Sequence, residues 1–73
     1  MPKTIYSKEY SRLVKKLKAA RLTSGLNQTQ AGKLFKKDQT FISKVESGQY
    51  RLDPIQLMKF SRIYKKDIKY FLR

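Results

Sequence analysis

Apolar side chains recur at intervals of three and four over the first third of the chain, which predicts an amphipathic helix. Ser7 stands where a helix cap is expected, and Ser24 with Gly25 forms a helix-stop signal. The opposite, polar face carries five basic residues. The predicted inward positions are Tyr6, Tyr10, Leu13, Val14, Leu17 and Ala20, and the basic positions are Lys8, Arg12, Lys15, Lys16 and Lys18.

Two short helices joined by a tight turn follow the first. The apolar pattern places the second helix over residues 28–35 and the third over residues 39 to about 47, with Lys36 and Lys37 between them. Asp38 precedes the third helix, where a carboxylate can cap free backbone N–H groups. The predicted inward residues are Ala31, Leu34 and Phe35 in the second helix, and Ile42 and Val45 in the third.

Two more helices are predicted after a loop at residues 49–53. Asp53 followed by Pro54 opens the fourth helix, since the missing N–H of proline is no loss at the first helical position. Asp67 stands before a short fifth helix in the same way. The predicted inward residues are Ile55, Met58, Phe60, Ile63 and Tyr64, with Leu57 as a further candidate, and then Ile68, Phe71 and Leu72 in the fifth helix.

The amino-acid composition restricts the possible functions of the protein more than it restricts the fold. Eighteen Lys and Arg face five Asp and Glu, so the formal net charge is +13, and a surplus of this size points to a polyanionic partner. The chain contains no cysteine and no histidine, which removes the usual nucleophile, general base and metal ligands. We therefore expect no enzymatic activity, no metal site and no cofactor. The chain also lacks an apolar stretch of membrane-spanning length, so a cytoplasmic location is expected.

The pattern as a whole predicts an all-α protein, a compact five-helix bundle with an N-terminal arm over residues 1–6 and one domain over residues 7–73. Two short helices with a tight turn inside a basic bundle are the layout of a helix-turn-helix. Residues 25–48, which read GLNQTQAGKLFKKDQTFISKVESG, resemble the helix-turn-helix family of phage repressors and Cro-like regulators. The resemblance is ungapped here, and it extends upstream through residues 13–21 and downstream from Arg51 to Leu72.

The resemblance implies that the third helix reads DNA in the major groove. Because Ile42 and Val45 face the core, a polar surface remains exposed on that helix. The alternative interpretation is that this surface is simply solvated and contacts no DNA. The expected base-reading residues are Gln39, Thr40, Ser43 and Lys44. The expected phosphate-contacting or supporting residues are Asn27, Gln28, Lys36, Lys37, Ser47, Tyr50 and Arg51, and Gln28 is also expected to brace Gln39.

The family also implies structural roles. Arg21 and Glu46 occupy positions that commonly form a partly buried ion pair, and Gly32 stands where the two short helices come closest. The sequence departs from the family in the turn, because Lys36 replaces a usual glycine and would be strained if this position needs positive φ. Alternatively, the turn is slightly remodelled and places Lys36 and Lys37 near phosphate. Phe41 either packs against the fourth helix or touches the DNA, and packing is the favoured interpretation.

These observations predict a sequence-specific regulator of transcription that binds double-stranded DNA, most simply a repressor. Relatives usually bind paired half-sites about 34 Å apart, so a homodimer on DNA is expected. Its surface is predicted on the fourth and fifth helices at exposed Tyr64, Tyr70 and Phe71, which could instead complete the core. The alternatives are an antitoxin-type protein acting with a protein partner and a non-specific basic DNA-binding protein. A membrane-surface binder is disfavoured because the core needs the apolar side of the first helix.

Overall fold

A computed structural model describes residues 8–72. The predicted arm of residues 1–6, the inward position of Tyr6 and the cap at Ser7 lie outside the described residues. Within residues 8–72 the chain forms five helices and no strand, which confirms the predicted all-α architecture. The helices are α1 (Lys8–Thr23), α2 (Gln28–Leu34), α3 (Gln39–Glu46), α4 (Pro54–Ile63) and α5 (Ile68–Leu72).

Helices α2 to α5 begin where the local sequence predicts them. The side chains of Asn27, Asp38 and Asp53 accept hydrogen bonds from backbone N–H groups in the first turns of α2, α3 and α4, and Asp67 accepts one from the backbone of Lys69. The three Asp side chains are therefore caps, as predicted. Both α2 and α3 end one residue earlier than predicted, because Phe35 and Ser47 serve as their C-caps.

The core is one cluster to which all five helices contribute. Phe60 lies at its aromatic centre, with ring centroids 4.2 Å from Phe35 and 5.6 Å from Tyr64. Such offset and edge-on ring pairs add to the stability gained from burial alone. The buried members are Leu17, Ala20, Ala31, Ile42, Val45, Leu57, Phe60, Tyr64 and Phe71.

Among residues 8–72, four residues that were predicted to face inward are exposed. Leu34 is 53% exposed, because Phe35 instead fills the space against Phe60 at the end of α2. Ile55 and Met58 are 64% and 49% exposed. The fourth, Leu72, is 66% exposed at the end of α5.

The two exposed residues of α4 follow from its geometry. This helix buries Leu57 and Phe60, and the buried stripe continues into its C-cap residue Tyr64, at spacings of three and four residues. Leu57, only a further candidate in the sequence, is thus a core residue in place of Ile55 and Met58.

The aromatic residues predicted to be exposed on α4 and α5 complete the core instead. Tyr64 and Phe71 are 2% and 3% exposed, so their predicted inward positions are confirmed and the alternative that they form an exposed dimer surface is wrong. Tyr70 is half-buried, and the ammonium groups of Lys16 and Lys66 lie 5.6 Å and 5.1 Å from its ring centroid. The side chains of Tyr64 and Phe71 therefore cannot form an open apolar surface.

Within residues 8–72, none of the helices has the length and apolar character that crossing a membrane requires.

Candidate nucleic-acid interface

The core fixes which side of α3 faces outward. Ile42 and Val45 have no exposed surface, so they hold one side of the helix against the bundle. Gln39, Thr40 and Lys44 are exposed. Ser43 is half-buried at the edge of the same surface. The structure therefore brings the four predicted base-reading residues together on the open side of one short helix.

Close packing at Gly32 sets the position of α3 against α2. A Cβ atom added at Gly32 would lie 2.5 Å from the backbone carbonyl oxygen of Asp38, the residue that caps α3. No side chain fits at that distance. The backbone of α2 therefore directly touches the start of α3, which fixes the distance between the two helices of the motif.

The turn between α2 and α3 presents two lysines. Lys36 adopts a φ of +59°, the left-handed conformation that favours glycine. This confirms that the family's glycine position needs positive φ here, and that lysine bears the strain. Lys37 is exposed, with its ammonium group 5.7 Å from the centroid of the Phe41 ring. Both cations stand beside the N-terminal end of α3.

A buried ion pair joins α1 to the end of α3. Arg21 Nε donates to Glu46 Oε2 at 2.6 Å, and Arg21 Nη2 donates to Glu46 Oε1 at 3.2 Å. The two side chains are only 7% and 6% exposed. Arg21 Nη1 also donates to the carbonyl oxygen of Leu26 at 2.8 Å. This two-point pairing is the strong geometry for arginine and carboxylate, and it ties three segments of the bundle together.

Two glutamine side chains continue from this ion pair towards the surface. Gln28 Nε2 donates to Glu46 Oε1 at 3.1 Å, and Gln39 Nε2 donates to Gln28 Oε1 at 2.6 Å. The predicted contact between Gln28 and Gln39 is therefore present. It places the first exposed residue of α3 in a hydrogen-bond series that ends at a buried carboxylate.

Two of the predicted supporting residues form hydrogen bonds within the helices that they flank. Asn27 Oδ1 accepts from the backbone of Gln30, and Gln30 Oε1 accepts from the backbone of Asn27, which is a capping box. The Ser47 hydroxyl donates to the carbonyl oxygen of Lys44 at 3.1 Å. Asn27 and Ser47 therefore shape the ends of α2 and α3.

The loop after α3 is held by a residue that the sequence analysis assigned only to the core. The Tyr10 hydroxyl accepts from the backbone N–H of Leu52 at 3.0 Å and donates to the carbonyl oxygen of Tyr50 at 3.2 Å. The guanidinium of Arg51 lies 4.8 Å from the Tyr10 ring centroid. Tyr50 and Arg51, two predicted phosphate contacts, are thus positioned from α1.

A family model described as helix-turn-helix matches residues 17–71, which is 55 of the 73 residues. This chain belongs to the helix-turn-helix family. It is a DNA-binding regulator of the Cro/C1 type, as the resemblance of residues 25–48 predicted. No curated protein and no solved structure shows a significant match to the chain.

In this helix-turn-helix protein, Phe41 packs against aromatic rings of α4, of the C-cap of α2 and of the loop after α3. Its ring centroid lies 5.3 Å from Tyr50, 6.1 Å from Phe35 and 6.2 Å from Phe60. This contact set supports the packing interpretation of Phe41. The ring covers one end of the core directly beneath Lys37.

Two polar residues that support the helix-turn-helix, Tyr10 and Gln56, were not among the predicted site residues. Gln56 closes a capping box with Asp53, and its Nε2 also donates to the Tyr50 hydroxyl at 2.9 Å. The spacing Asp53-x-x-Gln56 was a readable signal for that role. The hydrogen bonds of the Tyr10 hydroxyl had no such signal, because Tyr10 and Leu52 are 42 residues apart.

The electrostatics of the interface favour an anion. Lys36, Lys37 and Lys44 are exposed around α3. The two acidic residues nearest to them in sequence, Asp38 and Glu46, are used as a cap and as a buried ion-pair partner. Across residues 8–72, no group of acidic side chains is arranged to hold a metal ion.

Proposed function

We propose that this chain is a sequence-specific regulator of transcription that reads the major groove of double-stranded DNA with α3. The observation that carries the proposal is the two-sided character of this helix. Ile42 and Val45 are fully buried on one side, while Gln39, Thr40 and Lys44 are exposed on the other. A helix presented in this way fits the major groove, where glutamine, lysine and threonine can distinguish base pairs.

The proposed contacts divide into base-reading and phosphate-binding residues. Gln39, Thr40, Ser43 and Lys44 read bases, and the surrounding residues contact or orient the phosphate backbone. Phosphate contacts supply most of the affinity, whereas base contacts supply the sequence preference. The phosphate-binding and supporting set is Asn27, Gln28, Lys36, Lys37, Ser47, Tyr50 and Arg51.

The direct test is selection of bound duplexes from a randomised DNA library at physiological salt with non-specific competitor. Enrichment of one sequence supports a specific regulator. Binding without enrichment overturns the proposal in favour of non-specific binding by the +13 charge.

Two variants that each remove one positive charge separate base reading from phosphate binding. Lys44→Ala should relax the preference at one base position and cost about 1–3 kcal/mol on the selected duplex. Lys36→Ala should weaken all duplexes similarly and reduce the salt dependence of log K by about one unit. If the two variants behave identically, Lys44 does not read a base.

We propose further that the protein binds DNA as a homodimer through the exposed apolar side chains of α4 and α5. Ile55, Met58 and Leu72 are each about half to two-thirds exposed. Met58 and Leu72 also border an apolar groove of about 480 Å³, together with Leu13, Leu52, Leu57 and Ile68. Among residues 8–72, Arg51 is the only basic residue that lines this groove. Since a chain of charge +13 repels its copies, self-association requires a surface poor in Lys and Arg.

Sedimentation of the protein on the selected operator tests the dimer. Met58→Glu combined with Leu72→Glu should abolish the two-copy complex, while Leu22→Glu, which alters an equally exposed leucine on α1, should keep it. One copy per operator for the wild type would contradict the dimer. Two copies for the double variant would contradict this surface.

The resemblance to phage repressors and Cro supports repression, rather than activation, as the effect of the protein on transcription. A DNA-bound dimer is enough to exclude RNA polymerase from an overlapping promoter. A reporter whose promoter contains the selected operator should lose expression when the protein is supplied, and increased expression would identify an activator instead.

A further inference from the structure

Three side chains form a hydrogen-bond series from the core to the exposed end of α3. Glu46 is buried, Gln28 is half-buried and Gln39 is exposed. Each is joined to the next by a side-chain hydrogen bond, at 3.1 Å and 2.6 Å. We call this series the amide relay.

The buried end of the amide relay can only accept hydrogen bonds. Glu46 is paired at both oxygens with the guanidinium of Arg21, and an ionised carboxylate has no proton to donate. A side-chain amide next to it must therefore present its NH₂ group. Gln28 does so, because the opposite orientation would set two acceptor oxygens against each other at hydrogen-bond distance.

The orientation of Gln28 then fixes the orientation of Gln39. Because the NH₂ group of Gln28 is directed at Glu46, its carbonyl oxygen is directed at Gln39. Gln39 must therefore donate an N–H to that oxygen. An amide normally has two orientations of similar energy. Here the Glu46 carboxylate fixes the orientation of the Gln28 amide, and Gln28 in turn fixes that of the Gln39 amide. Glu46 therefore sets the orientation of Gln39 without contacting it.

The consequence is a defined pattern on the exposed edge of Gln39. One N–H is used by Gln28, so one N–H donor and the carbonyl acceptor remain. Adenine offers the complement in the major groove, an N7 acceptor beside an N6 donor. Guanine offers two acceptors, N7 and O6, and a bidentate contact there would need two donors.

We propose that Glu46 is a positioning residue that makes Gln39 select adenine over guanine, by setting the orientation of the Gln28 and Gln39 amides. This inference rests on the proposed function, since it concerns the base that α3 meets first. If both amides had the opposite orientation, Gln39 would accept a hydrogen bond from Gln28 through its carbonyl oxygen. Its two N–H donors would then remain free, and that pattern would favour guanine. Glu46 therefore acts on sequence preference in addition to its ion pair with Arg21.

The test measures binding to selected operators that carry adenine or guanine at one position. That position is the one whose preference disappears in Gln39→Ala. For the wild type we expect adenine to bind on the order of 10-fold more tightly than guanine. In Gln28→Met, which keeps the length of the side chain and the Arg21–Glu46 pair, this ratio should fall towards one.

A second variant interrupts the amide relay at its buried end. Replacing both Arg21 and Glu46 by Met removes the carboxylate without leaving an unpaired charge, a replacement that buried ion pairs often tolerate. The ratio of adenine to guanine binding should again fall, while the preference at the position read by Lys44 stays. A merely structural role for Glu46 would weaken all operators alike and leave the ratio unchanged.

The outcomes are distinct. Loss of the ratio in both variants supports the inference. A wild-type preference for guanine at this position, or a ratio that Gln28→Met retains, overturns it while leaving the proposed function intact. If the wild type enriches no duplex, the proposed function fails first and the inference falls with it.

Discussion

Gly32 of α2 lies directly against the backbone of Asp38, the residue that caps α3. An added Cβ atom would be 2.5 Å from the Asp38 carbonyl oxygen and 2.6 Å from its carbonyl carbon. These neighbours are backbone atoms at the end of a tight turn, so they cannot rotate away as a flexible side chain could. The separation of the two helices of the motif therefore depends on the absence of one methyl group.

Gly32→Ala should destabilise the protein by about 3 kcal/mol or more, because α3 must move to admit the methyl group. Denaturant unfolding measures the change. Gly25→Ala is the matched control: it has a φ of +76° but no atom within 4 Å of an added Cβ. It should cost only about 1 kcal/mol, from backbone strain. Equal costs at the two positions would contradict the close contact.

Removing one partner of the ion pair should cost far more than removing both. Glu46→Ala leaves the Arg21 guanidinium buried and unpaired, which should cost about 3–5 kcal/mol. Replacing both residues by Met should recover much of that loss. Thermal unfolding of the single and double variants decides this, and a Glu46→Ala protein that melts at the wild-type temperature would show that the pair is not structural.

Lys36→Gly should stabilise the fold while weakening DNA binding. Glycine adopts the φ of +59° at this position without strain. Removing the strain should raise the free energy of unfolding by about 1 kcal/mol. Part of this gain is offset because glycine has more conformational freedom in the unfolded chain. Lys37→Gly removes the same charge from the same turn, but Lys37 is not among the positive-φ residues. It should weaken DNA binding without the gain in stability, as unfolding and binding measurements on both variants would show.

The hydroxyl of Tyr64 is buried and has no hydrogen-bond partner among residues 8–72. Tyr64→Phe removes this unsatisfied group and keeps the ring that packs on Phe60, so the stability at pH 7 should stay equal or rise by about 1 kcal/mol. A fall of that size would show that the hydroxyl has a partner such as an ordered water.

The same hydroxyl predicts a pH dependence. Burial, reinforced by the nearby charge of Glu46, raises the pKa of the Tyr64 phenol above its ordinary value. Since the unfolded chain ionises near pH 10 while the folded chain does not, stability is fully present below that pH and is lost as the pH rises beyond it. The difference in unfolding free energy between the wild type and Tyr64→Phe should therefore grow above about pH 10. A difference that stays constant would contradict the raised pKa.

The local signals of this sequence were sufficient for the helices and the motif. Caps act within three residues of a helix start, so Asp38, Asp53 and Asp67 marked real beginnings. The family match confirms the helix-turn-helix that the layout and the run at residues 25–48 predicted. The Arg21–Glu46 pair could be anticipated only because the family places it there, since 25 residues separate the partners.

What the sequence by itself determined is the order of five helices, the position of the turn and the polar composition of α3. The tertiary structure decided which apolar residues the bundle covers. Short helices carry apolar side chains on more than one side, and only the placement of neighbouring helices selected Leu57, Tyr64 and Phe71 for burial and left Ile55 and Leu72 outside. It also decided the orientation of Gln39, because hydrogen bonds between distant residues depend on three-dimensional proximity, which spacing along the chain does not encode.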